Sequence, residues 1–149
     1  MLPSPLSPAF VAYAVTAIVL SLNLLFLWGF SGGARSKSKI AINPEDASVF
    51  GAALQETDPP AVARVLRAHA NAQATVYPFL LLGLVFVLAG GSAVTAEIIF
   101  AVFVLARLAH SGFYLASKQP FRTIAFVVSA IALIALMVAL VWRLAVAGH

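Results

Sequence analysis

Seven residues in three short runs carry the chemical potential of this chain: Arg64, Arg67 and Asn71; Arg107, His110 and Tyr114; and Arg122. Within the first two runs, spacings of three and four place the side chains along one stripe of a helix, and Ala74 extends the first stripe by a further turn. Arginine forks suit carboxylates by geometry as well as by charge. The chain has five acids: Glu45, Asp46, Glu56 and Asp58 lie together before the second apolar run, and Glu97 lies far from them. The arginines inside apolar segments therefore lack a carboxylate at their own depth. Two solutions are open: loop acids fold onto them, or the site is built for an anionic ligand.

The surroundings make those charges costly. The chain is 149 residues long, 62% hydrophobic and 9% charged, with a mean hydropathy of +1.03. That composition indicates an integral membrane protein of one domain, 1–149. A central arginine costs about 2.5–3.5 kcal/mol on insertion scales, so ionisable residues within membrane spans mark functional sites by default. The net charge of +4 is scattered among the helices, with no basic face or aromatic platform, which argues against nucleic acid. Without cysteine there is no disulfide, thiolate metal site or cysteine nucleophile. His69 and His110, without neighbouring acids, make no metal site, and hydrogen bonding across helices is their ordinary use.

Four spans must position these residues, giving an all-α, four-helix membrane bundle. They are expected at about 10–32, closed by Gly32-Gly33; 60–89, opened by Asp58 as a cap with proline in the first turn; 93–116; and 121–147. A loop of about 33–59 joins the first two. Pro78 interrupts the second span and leaves the Ala74 carbonyl without its donor. Lysine and arginine distribution orients the chain. Arg35, Lys37, Lys39, Arg64 and Arg67 fall in or near the first loop, and Lys118 and Arg122 in or near the third, whereas the second loop has none. Loops one and three are thus expected in the cytoplasm. The membrane is expected to be a bacterial inner membrane or the endoplasmic reticulum.

Several pieces, in order, resemble one family: Asn43-Pro44-Glu45-Asp46-Ala47, Thr57-Asp58-Pro59, Arg67-Ala68-His69-x-Asn71, Tyr77-Pro78-Phe79-Leu80, Arg107-x-x-His110-x-x-x-Tyr114 and Pro120-x-Arg122. The family is the membrane-associated proteins in eicosanoid and glutathione metabolism (MAPEG), through both its prostaglandin synthase and its glutathione transferase branches. The resemblance implies a homotrimer with glutathione as cofactor, held between neighbours on the cytoplasmic side, and a lipophilic substrate arriving from the bilayer. It assigns Arg35, Arg67, His69, Asn71, Arg107, His110 and Tyr114 to the glutathione pocket. Arg122 matches the arginine that stabilises the glutathione thiolate, and Asp46 an acid that works beside it.

The family signature runs roughly Glu-Arg-x-x-Arg-Ala-x-x-Asn-x-x-Glu, and here alanine replaces both glutamates, at Ala63 and Ala74. Ala70 and Phe126 also stand where the prostaglandin synthase branch has polar residues. The expected function is a glutathione-dependent transferase, isomerase or peroxidase acting on lipophilic electrophiles. The alternative, motivated by the two alanines, is a non-catalytic lipid-binding member that has lost glutathione. A small transporter subunit would need an acid on the polar stripes for proton or cation coupling, and neither stripe has one.

Overall fold

The structure, a computed structural model, describes residues 7–147. The six residues before Ser7 and the last two of the expected 1–149 domain lie outside the described residues. Four long apolar helices account for most of it: α1 (Pro8–Ser38), α3 (Pro60–Leu88), α4 (Ala93–Leu115) and α5 (Phe121–Ala147). All four are long and apolar enough to cross a membrane. Three of them begin and end within about a residue of expectation, because proline, serine and glycine punctuate them clearly.

The first helix departs from expectation. It runs straight through Gly32-Gly33 and ends six residues beyond Gly32, where Lys39 takes a left-handed conformation (φ 53°) and its N–H reaches the Ser36 carbonyl. Glycine weakens a helix without ending it when no left-handed turn is demanded there. At 31 residues, α1 measures about 46 Å, well beyond a hydrocarbon core of about 30 Å. Its last turns carry Arg35 and Lys37 out of the apolar layer.

The loop that follows is structured. A short helix, α2 (Pro44–Phe50), sits between two short strands, β1 (Ile40–Ala41) and β2 (Ala53–Leu54), which pair in parallel. The pairing bonds run from the Ala53 N–H to the Lys39 carbonyl and from the Gln55 N–H to the Ala41 carbonyl, both 2.9 Å. Asp58 does not cap the second apolar helix as expected; Pro59 occupies the cap without a side-chain bond. Asp58 instead receives Arg35, whose Nε donates to Oδ1 (3.0 Å) and whose Nη2 donates to Oδ1 (2.8 Å) and Oδ2 (2.9 Å). A charged partner from a neighbouring helix outcompetes a backbone N–H for the carboxylate. The pair ties the end of α1 to the start of α3, so it closes the loop at its base.

In the bundle, α1 packs against α3 and α4, and α5 against α4 and α3, which sets α1 and α5 at opposite corners. The interior is stacked from aromatics. Phe79 and Phe103 lie face to face with centroids 3.6 Å apart, Phe100 meets Phe79 edge-on at 5.6 Å, and Tyr13 meets Phe100 at 6.3 Å. Leu20, Val76, Phe86 and Leu136 complete this cluster. The outer faces remain apolar and exposed, with Leu22, Leu25, Ile131 and Val138 among them. Between lipid and helix there is little hydrophobic bias, so close packing and interhelical polar contacts must hold such a bundle.

The α3–α4 turn shows how tight that packing is. A Cβ on Gly91 would overlap the buried Phe86 ring, whereas one on Gly112 would meet nothing within 4 Å. Gly91→Ala is therefore expected to cost about 1–3 kcal/mol by overpacking. Gly112→Ala should be neutral or slightly stabilising through helix propensity. Thermal unfolding of the purified protein in detergent checks both.

Candidate functional site

The polar residues gather where α3, α4 and α5 meet. Because α4 and α5 are antiparallel neighbours, the stripe Arg107, His110, Tyr114 on α4 faces Ser129, Phe126, Arg122 on α5 at matching intervals. Three rungs result. At the deepest, Arg107 is fully buried (0% exposed); its Nη2 donates to Asn71 Oδ1 on α3 at 3.0 Å, and its Nη1 reaches Ser129 Oγ at 3.5 Å. Ser129 in turn donates to the Phe126 carbonyl at 2.8 Å. At the middle rung, the His110 ring packs against Phe126, 6.1 Å between centroids, and against Tyr114 at 5.6 Å. At the outermost, the Arg122 guanidinium lies over the Tyr114 ring, 4.6 Å from its centroid, a cation–π arrangement that holds the charge without neutralising it.

Asn71, Arg107, His110, Tyr114 and Arg122 thus form one column, running from the bundle interior towards the basic loops. Ser129 belongs to it and was missed by sequence reasoning. Its signal was present: it stands seven residues after Arg122 and three after Phe126, on the same stripe of an otherwise apolar helix.

The remaining expected residues lie elsewhere in the subunit. Arg67 is exposed, on the same flank of α3 as the exposed Ala70 and Ala74. The first stripe therefore divides, with Asn71 turned towards Arg107 and Arg67 turned away from the core. His69, two positions from both Arg67 and Asn71, sits roughly 160° around the helix from each, so it does not share their face. Arg64 bonds Ser117 after α4, pinning the start of α3 to the α4–α5 turn. Asp46, on α2, accepts from Asn43 Nδ2 at 3.1 Å. Together with Arg35 and Lys39 it lines a pocket of about 470 Å³ under the structured loop. Among the described residues, no hydrogen bond or ion pair joins Asp46 to Arg122.

Charge balance separates the two solutions that the sequence left open. One loop acid does fold onto an arginine: Asp58 onto Arg35, the one ion pair among the described residues. Among the described residues, no carboxylate reaches Arg67, Arg107 or Arg122. Within the column, Arg107 Nε and His110 Nδ1 are buried without a hydrogen-bond partner, as are Asn23 Nδ2 on α1 and Ser111 Oγ on α4. Buried donors are almost always satisfied, so unsatisfied capacity at the two inner rungs, beside cations without anions, fits a polar or anionic ligand in the column. No group of three or more metal-ligating side chains occurs among the described residues.

The column also has a structural duty, and the two can be separated. Asn71→Ala strips the buried guanidinium of its best acceptor and is expected to destabilise the protein by about 1.5–3 kcal/mol. Ser129→Ala should cost less, since a 3.5 Å contact is at the edge of hydrogen bonding. Arg107→Met, which removes the charge itself, should be less destabilising than Asn71→Ala. Unfolding midpoints of the three variants check this order.

Comparison with known proteins agrees with this architecture. A family model described as the MAPEG family matches residues 13–142. Prostaglandin E synthase from Equus caballus is 33% identical over 138 residues, covering 92% of this chain and 90% of the relative. The Homo sapiens protein of that name is 31% identical over 140 residues, 93% of this chain and 92% of its own. Microsomal glutathione S-transferase 1 from Rattus norvegicus is 37% identical over 126 residues, 80% of this chain and 79% of the relative. With a family match spanning α1 to α5 and relatives aligned along most of their length, the chain belongs to the MAPEG family of helical membrane proteins.

Proposed function

We propose that this protein is a glutathione-dependent membrane enzyme, a transferase, isomerase or peroxidase that acts on lipophilic electrophiles entering from the bilayer. The observation that carries the reading is Arg122: a half-buried guanidinium held over Tyr114 at the mouth of the column, with no carboxylate among the described residues to neutralise it. Membership of the family, and relatives named prostaglandin E synthase and microsomal glutathione S-transferase, support it.

Bound glutathione would supply a sulfur nucleophile once its thiol is deprotonated. Arg122 favours that ionised form, since a nearby positive charge lowers a thiol pKa. Tyr114 keeps the guanidinium in place by its ring face. Asn71 and Ser129 hold Arg107, whose charge raises the positive potential at the inner end of the column. Arg67 offers an unpaired fork for a carboxylate. Arg35 is engaged by Asp58, so its part in the subunit is to tie the end of α1 and the structured loop to the start of α3. Arg67 and Asp46 lie outside the column in a single subunit. The reading therefore includes a homotrimer, in which a neighbouring copy brings such residues to the head of the column, and it includes His69 only by family resemblance. The basic loops are taken as cytoplasmic.

A second reading has its own observation. Ala74 is exposed on the Arg67 face and Ala63 is half-exposed, so no acid on that face can receive the glutathione ammonium. In that case the protein is a lipid-binding relative without the cofactor.

Arg122→Ala should lower turnover with a lipophilic aryl halide about 100-fold or more and abolish the ultraviolet absorbance of bound thiolate, with the oligomer intact. Full activity in this variant would sink the mechanism. Calorimetry with glutathione separates the two readings, since absence of binding at millimolar cofactor favours the second. Ala74→Glu should then raise affinity about tenfold, the scale of one charge-assisted hydrogen bond. An unchanged affinity would remove the missing glutamate as the explanation.

A further inference from the structure

At the opposite end of the bundle stands a second arginine that the proposed chemistry does not use. From Thr123 to Trp142, α5 has no charged residue, and then comes Arg143. It is half-buried, and its Nε donates to the Ala89 carbonyl at the end of α3 at 2.9 Å. The guanidinium lies so near the α3–α4 turn that a Cβ on Gly90 would sit 3.0 Å from Nη2. One N–H is therefore consumed in capping a helix C-terminus. No carboxylate pairs with the Nη groups among the described residues.

This guanidinium heads a cleft of about 810 Å³ between the α3–α4 turn and the last turns of α5. The cleft is apolar along Phe86, Val138 and Trp142, and it gains hydroxyls from Ser92 and Thr95 beside Arg143. Trp142 is largely exposed at its edge, a placement typical of the boundary between headgroups and acyl chains. A cation and hydroxyls at one end of a long apolar cleft, set at the end of membrane-spanning helices, match one class of molecule. It has a phosphate at its head and an acyl chain behind.

We propose that this cleft is a binding site for an anionic glycerophospholipid of the leaflet on the α3–α4 turn side. Its phosphate pairs with the Arg143 Nη groups and one acyl chain lies along Phe86, Val138 and Trp142. Charge complementarity selects this occupant over a second copy of the chain. Four of the five acids lie in the loop at the other end, and the fifth, Glu97, lines a different cleft, between α1 and α4. A parallel neighbour has one acid at this end of the bundle, Glu97, with which to answer the guanidinium. The site is independent of glutathione chemistry, so neither proposal stands or falls with the other.

The chain has two tryptophans, which makes the site its own reporter. In a Trp28→Phe background, Trp142 fluorescence is measured in phosphatidylcholine vesicles containing increasing fractions of dibrominated phosphatidylglycerol or, in parallel, dibrominated phosphatidylcholine. The anionic lipid should reach half-quenching at about a fivefold lower mole fraction, the effect of one basic residue near the surface. Arg143→Gln should bring the two curves together, while Arg143→Lys should keep most of the preference. Coincident curves in the Trp28→Phe protein would overturn the proposal, as would quenching by neither lipid, which would mean that a second copy covers the cleft. A preference undiminished by Arg143→Gln would overturn the role of the arginine. Should Arg143→Gln fail to fold, the comparison of lipids in the Trp28→Phe protein decides alone.

Discussion

A guanidinium sunk between four apolar helices imposes its requirements on everything near it. Arg107 is wholly buried, and a charge in that position needs polar neighbours on the helices around it. Asn71 answers from α3 and Ser129 from α5. Those two contacts set the register of three helices against one another. Once Arg107 is level with Ser129, antiparallel packing brings His110 to Phe126 and Arg122 to the face of Tyr114. The aromatic stack of Phe79, Phe100 and Phe103 below it supplies close packing and excludes water. The polar column and the apolar core are consequences of one alignment.

The two ends of the bundle treat their charges differently. At the loop end, Arg35 finds Asp58 and becomes a clasp, while Arg122 keeps its charge open above an aromatic ring. At the turn end, Arg143 spends one donor on the end of α3 and turns its remaining donors towards an apolar cleft. An arginine neutralised by a carboxylate fixes structure. One held by a carbonyl or a ring face retains most of its field for something else. In this protein, the distribution of five acids decides which arginines are which.

Family membership narrows the chemistry without completing it. Relatives named prostaglandin E synthase and microsomal glutathione S-transferase 1 are 33% and 37% identical to this chain over most of its length. Alanines stand at 63 and 74, where the family signature this chain resembles has glutamates, so the face that carries Arg67 has no carboxylate at either position. That change leaves the positive potential of the site larger, and its capacity to receive an ammonium smaller.

Much of this was legible in the residues themselves. Hydropathy marks four spans, because a membrane tolerates only long apolar helices with all backbone groups satisfied within them. Spacings of three and four mark Arg107, His110 and Tyr114 as one stripe, because helical periodicity is local and independent of neighbours. What no local rule could supply was the rotation and register of each helix against the others. Tertiary packing turned Asn71 inward and Arg67 outward from a single expected stripe and brought Ser129 in. It gave Asp58 to Arg35 rather than to the end of a helix. Each of these is a competition between partners distant in sequence. The residues name the competitors, and only the assembled bundle sets the distances that decide the winner.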